Sequence, residues 1–89
     1  MTDKELGAVI AAVRKSSGLT QRDLCERVDV APHTLCKIEK GTRSLKAVEL
    51  QVFAQALGVS CEDLFDFRRA IESRINSLRS EIEMLENEL

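Results

Sequence analysis

The stretch "VAPHTLCKIEKG", residues 30–41, reads as a short helix with a start and a stop. Pro32 suits a first helical position and Gly41 suits the position just past the end, so the spacing predicts a helix from Pro32 to Lys40. Val30, Leu35 and Ile38 fall at core positions. Between them, His33, Thr34, Cys36 and Lys37 form a side that is offered to something other than the interior.

The residues just upstream say what that side is for. Thr20 with Asp23 makes a capping box, so a second short helix opens there, turns Leu24 and Val28 inward and ends near Arg27. Asp29 is a residue type that tolerates a tight turn. Two short helices joined around Asp29, Val30 and Ala31 form a helix-turn-helix, whose second helix lies in the major groove of DNA.

Working outward, Thr2 with Glu5 caps a helix over residues 3–16, with Leu6, Ile10 and Val13 at helical spacing before Gly18. After "GTRSL" a fourth helix carries Ala47, Leu50, Phe53, Ala54 and Leu57 on one face and stops at Gly58. Ser60 with Asp63 caps a fifth turn, "CEDLF". From Phe67 the text contains neither Gly nor Pro. Its Ile71, Ile75, Leu78, Ile82, Leu85 and Leu89 recur at heptad spacing, which predicts one helix of about 22 residues, near 33 Å long. The expected fold is all-α: a five-helix body, residues 1–66, followed by one long amphipathic helix, residues 67–89, that associates with a second copy.

Composition narrows the function. With 89 residues the chain holds one small core, and oligomerisation is a natural supplement. The longest apolar run, Ala8 to Val13, is far short of a membrane span, and the N-terminal text lacks the pattern of a signal peptide, so a cytoplasmic location is expected. Cys25, Cys36 and Cys61 show no CxxC spacing and the one histidine is His33, which argues against a disulfide framework, a zinc site or any other cofactor. His33 and Cys36 stand three apart with no third ligand or orienting acid, so no catalytic residue is assigned and no enzyme is expected. The net charge of −2 hides a split. From Arg14 to Lys46 there are eight basic and four acidic residues, a sum of +4, and the remainder carries −6.

From Leu6 to Phe65 the chain resembles the phage-repressor and Cro (Xre) type of helix-turn-helix domain. The supporting text is "LGAVIAAVRKSSGLTQRDLCERV", "LCKIEKGTR" and "ALGVSCEDLF". The resemblance implies double-stranded DNA as partner, with base contacts from Pro32, His33 and Lys37 and from the adjacent Cys36. It implies phosphate contacts from Gln21, Lys40 and Arg43, with Thr20, Arg22 and Thr42 beside them, and a structural role for Glu39. Chemistry adds separate support: Lys37 can donate to guanine O6 or N7, His33 can donate or accept, and the first-turn amides near Gln21 suit a phosphate. The chain departs from the family pattern at Asp29, where a Gly is usual, at Ala31–Pro32, and at Leu45–Lys46. The function expected is a dimeric, sequence-specific regulator, acting as a repressor on an inverted-repeat operator. The competing expectation is a partner-binding module of antitoxin or antirepressor kind, whose tail grips another protein.

Overall fold

The structure is a computed structural model that describes residues 2–88, with all side chains except those of residues 67–74, 77 and 88. Among the described residues there are six helices and no strands: α1 (Asp3–Ser16), α2 (Gln21–Val28), α3 (Pro32–Lys40), α4 (Ala47–Leu57), α5 (Cys61–Leu64) and α6 (Phe67–Glu88).

Short polar side chains set the starts of three of these helices. The hydroxyl oxygens of Thr2, Thr20 and Ser60 accept from the backbone N–H of Glu5, Asp23 and Asp63, each at 3.1 Å. Asp23 and Asp63 reach back to the N–H of Thr20 and Ser60, which completes two capping boxes. α3 starts differently. Its N-cap, Ala31, has no side chain that can accept, and Pro32 at the first position removes one donor that would otherwise lack a partner. At the end of α2 the chain turns through Asp29 in the left-handed region, φ 54° and ψ 51°. This conformation is unfavourable for most residues, but Asp is among those that adopt it.

The core takes Val9, Ile10 and Val13 from α1, Leu24, Cys25 and Val28 from α2, Leu35 and Ile38 from α3, Phe53, Ala54 and Leu57 from α4, and Leu64 from α5. Each large apolar side chain fully buried here contributes about 1.5–3 kcal/mol. α1 crosses α3 at close range because Gly7 has no side chain: a Cβ at this position would run into the carbonyl oxygens of Ile38 and Glu39. Gly41, at φ 79°, does the same for the first turn of α1, where a Cβ would meet the Cα of Lys4.

Two sequence expectations shift. Helix α2 runs one residue past Arg27, to Val28. Ala47, expected on the inner face of α4, is exposed, and Leu50 is half-buried. Ala47 and Val48 in the first turn of α4 are exposed, Leu50 packs against the core in part, and full burial starts at Phe53. α6 lies against α1 and α5 at its start and then leaves them, which stretches the molecule to 46 × 24 × 20 Å. Ile75, Ile82 and Leu85 are 40%, 54% and 63% exposed, and Leu78 is half-buried. Of the heptad stripe, the Ile71 side chain and Leu89 lie outside the described residues. No helix among the described residues is long and apolar enough to cross a membrane.

Candidate nucleic-acid interface

Helix α3 is two-sided. Leu35 and Ile38 are fully buried, whereas Pro32, His33, Lys37 and Lys40 are exposed and Thr34 and Cys36 are half-buried. The 4-3 spacing of His33, Lys37 and Lys40 puts them along one outer stripe of the helix. The side that the sequence leaves uncommitted is therefore solvent-facing.

Two sets of contacts fix the C-terminal end of this helix. At one flank, Glu39 forms a buried ion pair with Arg14 of α1: Nε donates to Oε2 at 2.7 Å and Nη2 to Oε1 at 3.2 Å. A further donor of Arg14 reaches the carbonyl of Leu19 at 2.9 Å. Glu39 Oε1 also accepts from the side-chain amide of Gln21 at 2.9 Å, so α1, α2 and α3 meet at one carboxylate. Gln21, expected at a phosphate, thus spends one of its two amide N–H donors on Glu39, and the second N–H is the side-chain donor that a phosphate could use.

At the other flank lies the loop between α3 and α4. Lys37 O accepts from the Thr42 backbone N–H at 2.9 Å and from the Thr42 hydroxyl at 3.2 Å, which folds the loop under the end of α3. The Ser44 hydroxyl donates to Asp3 of α1. Arg43 donates from Nη2 to Glu49 Oε2 at 3.0 Å, and Glu49 Oε1 accepts from the Lys46 backbone N–H at 3.1 Å. The Lys46 N–H and the Arg43 guanidinium together hold the Glu49 carboxyl below the usual carboxylate range.

The remaining expected contacts are less constrained. Arg22 is exposed and pairs with Glu26 at 3.6 Å across one helical turn, a contact that adds little. Thr20 uses its hydroxyl to cap α2, with its backbone N–H on Asp23, which keeps the Asp23 carboxyl low. Cys25 is buried beneath this face, and burial pushes its thiol up. Among the described residues no group of three or more His, Cys, Asp and Glu could hold a metal ion. The structure brings Pro32, His33, Cys36, Lys37 and Lys40 together on α3, with Thr42 and Arg43 following and Gln21 tied to its end. Sequence reasoning missed Glu49. The available signal was an acid three positions after Lys46, which at a helix start can accept from the N-cap backbone N–H even where the N-cap side chain has no acceptor.

A short helix with a buried inner side, a basic outer side and anchored flanks defines a DNA-binding transcriptional regulator of the helix-turn-helix kind. Residues 5–66 match the helix-turn-helix domain family, and the chain belongs to it, in its phage-repressor and Cro (Xre) type. It is 36% identical over 61 residues to the HTH-type transcriptional regulator y4dJ of Sinorhizobium fredii, covering 68% of this chain and 79% of that protein. A further HTH-type transcriptional regulator, from Methanothermobacter thermautotrophicus, is 43% identical over 53 residues, covering 58% and 77%. Among solved structures, the clp gene regulator ClgR of Corynebacterium glutamicum superposes with a TM-score of 0.71 at 30% identity, covering 82% of this chain and 92% of that one. The restriction-modification controller protein C.AhdI of Aeromonas hydrophila shares the fold, with a TM-score of 0.67 at 22% identity over 70% of this chain and 94% of that one.

Proposed function

We propose that this regulator is a sequence-specific repressor that binds an inverted-repeat operator as a dimer, in the cytoplasm where the DNA lies. The observation that carries the reading is the division of α3 into a fully buried side, Leu35 and Ile38, and an exposed side with Pro32, His33 and Lys37. Lys37 and His33 read base edges, with Pro32 and Cys36 in contact range. Thr20, Gln21, Arg22, Lys40, Thr42 and Arg43 grip the phosphates on either side. Two copies joined along Ile75, Leu78, Ile82 and Leu85 of α6, with Ile71 and Leu89 completing the sequence stripe, present two α3 helices to successive major grooves about 34 Å apart. Repression follows by occupancy of a promoter.

The test is selection of a bound sequence from a random DNA pool, followed by binding of Lys37→Ala and Arg43→Ala to the selected and to mixed-sequence duplexes. Lys37→Ala should cost about 1–3 kcal/mol on the selected duplex only. Arg43→Ala should weaken both alike and make the salt slope shallower by about one unit. A chain that is monomeric in solution and has no DNA affinity at low salt would sink the repressor reading in favour of a partner-binding module.

A further inference from the structure

We propose that Glu49, which lies outside α3, is a positioning residue for DNA binding: it holds Arg43 in place for a phosphate. The inference rests on the phosphate role given to Arg43 above. The Glu49 carboxylate divides its two oxygens, Oε1 on the Lys46 backbone N–H at 3.1 Å and Oε2 on Arg43 Nη2 at 3.0 Å. Because the first bond is to the backbone at the start of α4, Glu49 is itself fixed and passes that fixity to the guanidinium. Arg43 also donates from Nη1 to the Ser44 carbonyl at 3.4 Å, within its own loop.

A guanidinium has five N–H donors. These two bonds use two of them, and the other three have no partner among the described residues. The Arg43 side chain is 36% exposed, so those donors are within reach of an oxyanion. A long, flexible side chain that is already restrained loses less freedom on binding, and a planar fork held on one edge still offers the other edge. A related construction stands in the last turn of α3 itself, where Glu39, fixed by Arg14, holds Gln21 of α2. Two side chains expected at phosphates are thus braced near the C-terminal end of α3, each by a carboxylate that is bonded elsewhere in the scaffold.

Glu49→Gln separates positioning from other roles. The Gln oxygen can still accept from the Lys46 N–H, so α4 keeps its start, but the Gln NH2 then faces the Arg43 donors and cannot accept from them. Removing a negative charge near DNA would by itself strengthen binding. Lost positioning works the other way. On a fluorescein-labelled mixed-sequence duplex at low salt, Glu49→Gln should weaken binding about two- to fivefold, the scale of a partly exposed ion pair. The salt slope should stay unchanged, because Arg43 still meets its phosphate, whereas Arg43→Ala loses about one unit. In the Arg43→Ala background Glu49→Gln should cost nothing more. Equal or tighter binding by Glu49→Gln, alongside a loss for Arg43→Ala, overturns the inference alone. No loss for either variant overturns the phosphate role of Arg43 and the inference with it.

Discussion

The Arg14 guanidinium and the Glu39 carboxylate meet at 2.7 Å with side chains only 8% and 7% exposed, which ties the first helix to the end of the recognition helix. Truncating one partner strands the other as an unpaired charge in a nearly dry site. Glu39→Ala should therefore destabilise the protein by about 3–5 kcal/mol. Replacing both, as Arg14→Met with Glu39→Leu, should recover much of that loss. Chemical denaturation of the single and double variants checks both statements. Additive losses would show that the two side chains are not coupled.

Gly7 and Gly18 should respond in contrasting ways to the same substitution. At Gly7 the added methyl meets backbone carbonyls that no rotamer change can move aside, so Gly7→Ala should cost about 2 kcal/mol or more. At Gly18, φ 72°, the methyl meets nothing within 4 Å, and only the left-handed backbone resists it, at about 1 kcal/mol. Thermal melts of the two variants, matched for buffer and concentration, give the ranking; a larger loss at Gly18 would contradict the close helix crossing.

Acid should unfold the protein in part through its helix starts. The Thr20 backbone N–H and hydroxyl hold the Asp23 carboxyl low, and the Lys46 N–H followed by Arg43 does so for Glu49. A carboxyl whose folded value lies below its unfolded one stabilises fully above the ordinary range, near pH 4, and loses that contribution as pH falls through the folded value. The melting temperature should thus drop as the pH is lowered below about 4. Asp23→Asn combined with Glu49→Gln should melt lower at neutral pH and show a shallower acid slope. An unaltered slope would remove these two groups from the acid response.

The tail can be tested without disturbing the body. Ile82 and Leu85 are 54% and 63% exposed in the single chain, so replacing both by Ser removes no contact that the isolated fold depends on. Light scattering should show loss of the proposed dimer, while the thermal melt of the five-helix body at neutral pH stays the same. Affinity for inverted-repeat DNA should fall with it, since the second reading helix is no longer held at high local concentration. A double variant that remains dimeric would place the interface away from α6.

Local pattern made most of the helix limits legible. Thr20 with Asp23, Ser60 with Asp63, and the glycines at 41 and 58 are short-range signals, and a capping bond spans only three residues. Even Asp29 could be anticipated as the turn, though only the structure supplies its left-handed φ. The contacts that fix the candidate site were harder to see. Arg14 and Glu39 are 25 residues apart and Ser44 and Asp3 are 41 apart, so no periodicity connects them. The exposed position of Ala47 was hidden for a related reason. An apolar residue at helical spacing is buried only where other elements cover it, and at Ala47 none does so.

The crossing of α1 over α3 at Gly7 and Gly41 has a consequence for how DNA would be read. Backbone rests there on backbone, with no layer of side chains between that could shift to let the recognition helix tilt. Within one body α1 and α3 then move as a unit, and a misfit that a tilt of α3 would otherwise absorb falls on the duplex. Operators should then differ in affinity at base pairs that no side chain reaches, with easily bent pyrimidine–purine steps favoured wherever the duplex has to curve to meet both heads of the proposed dimer.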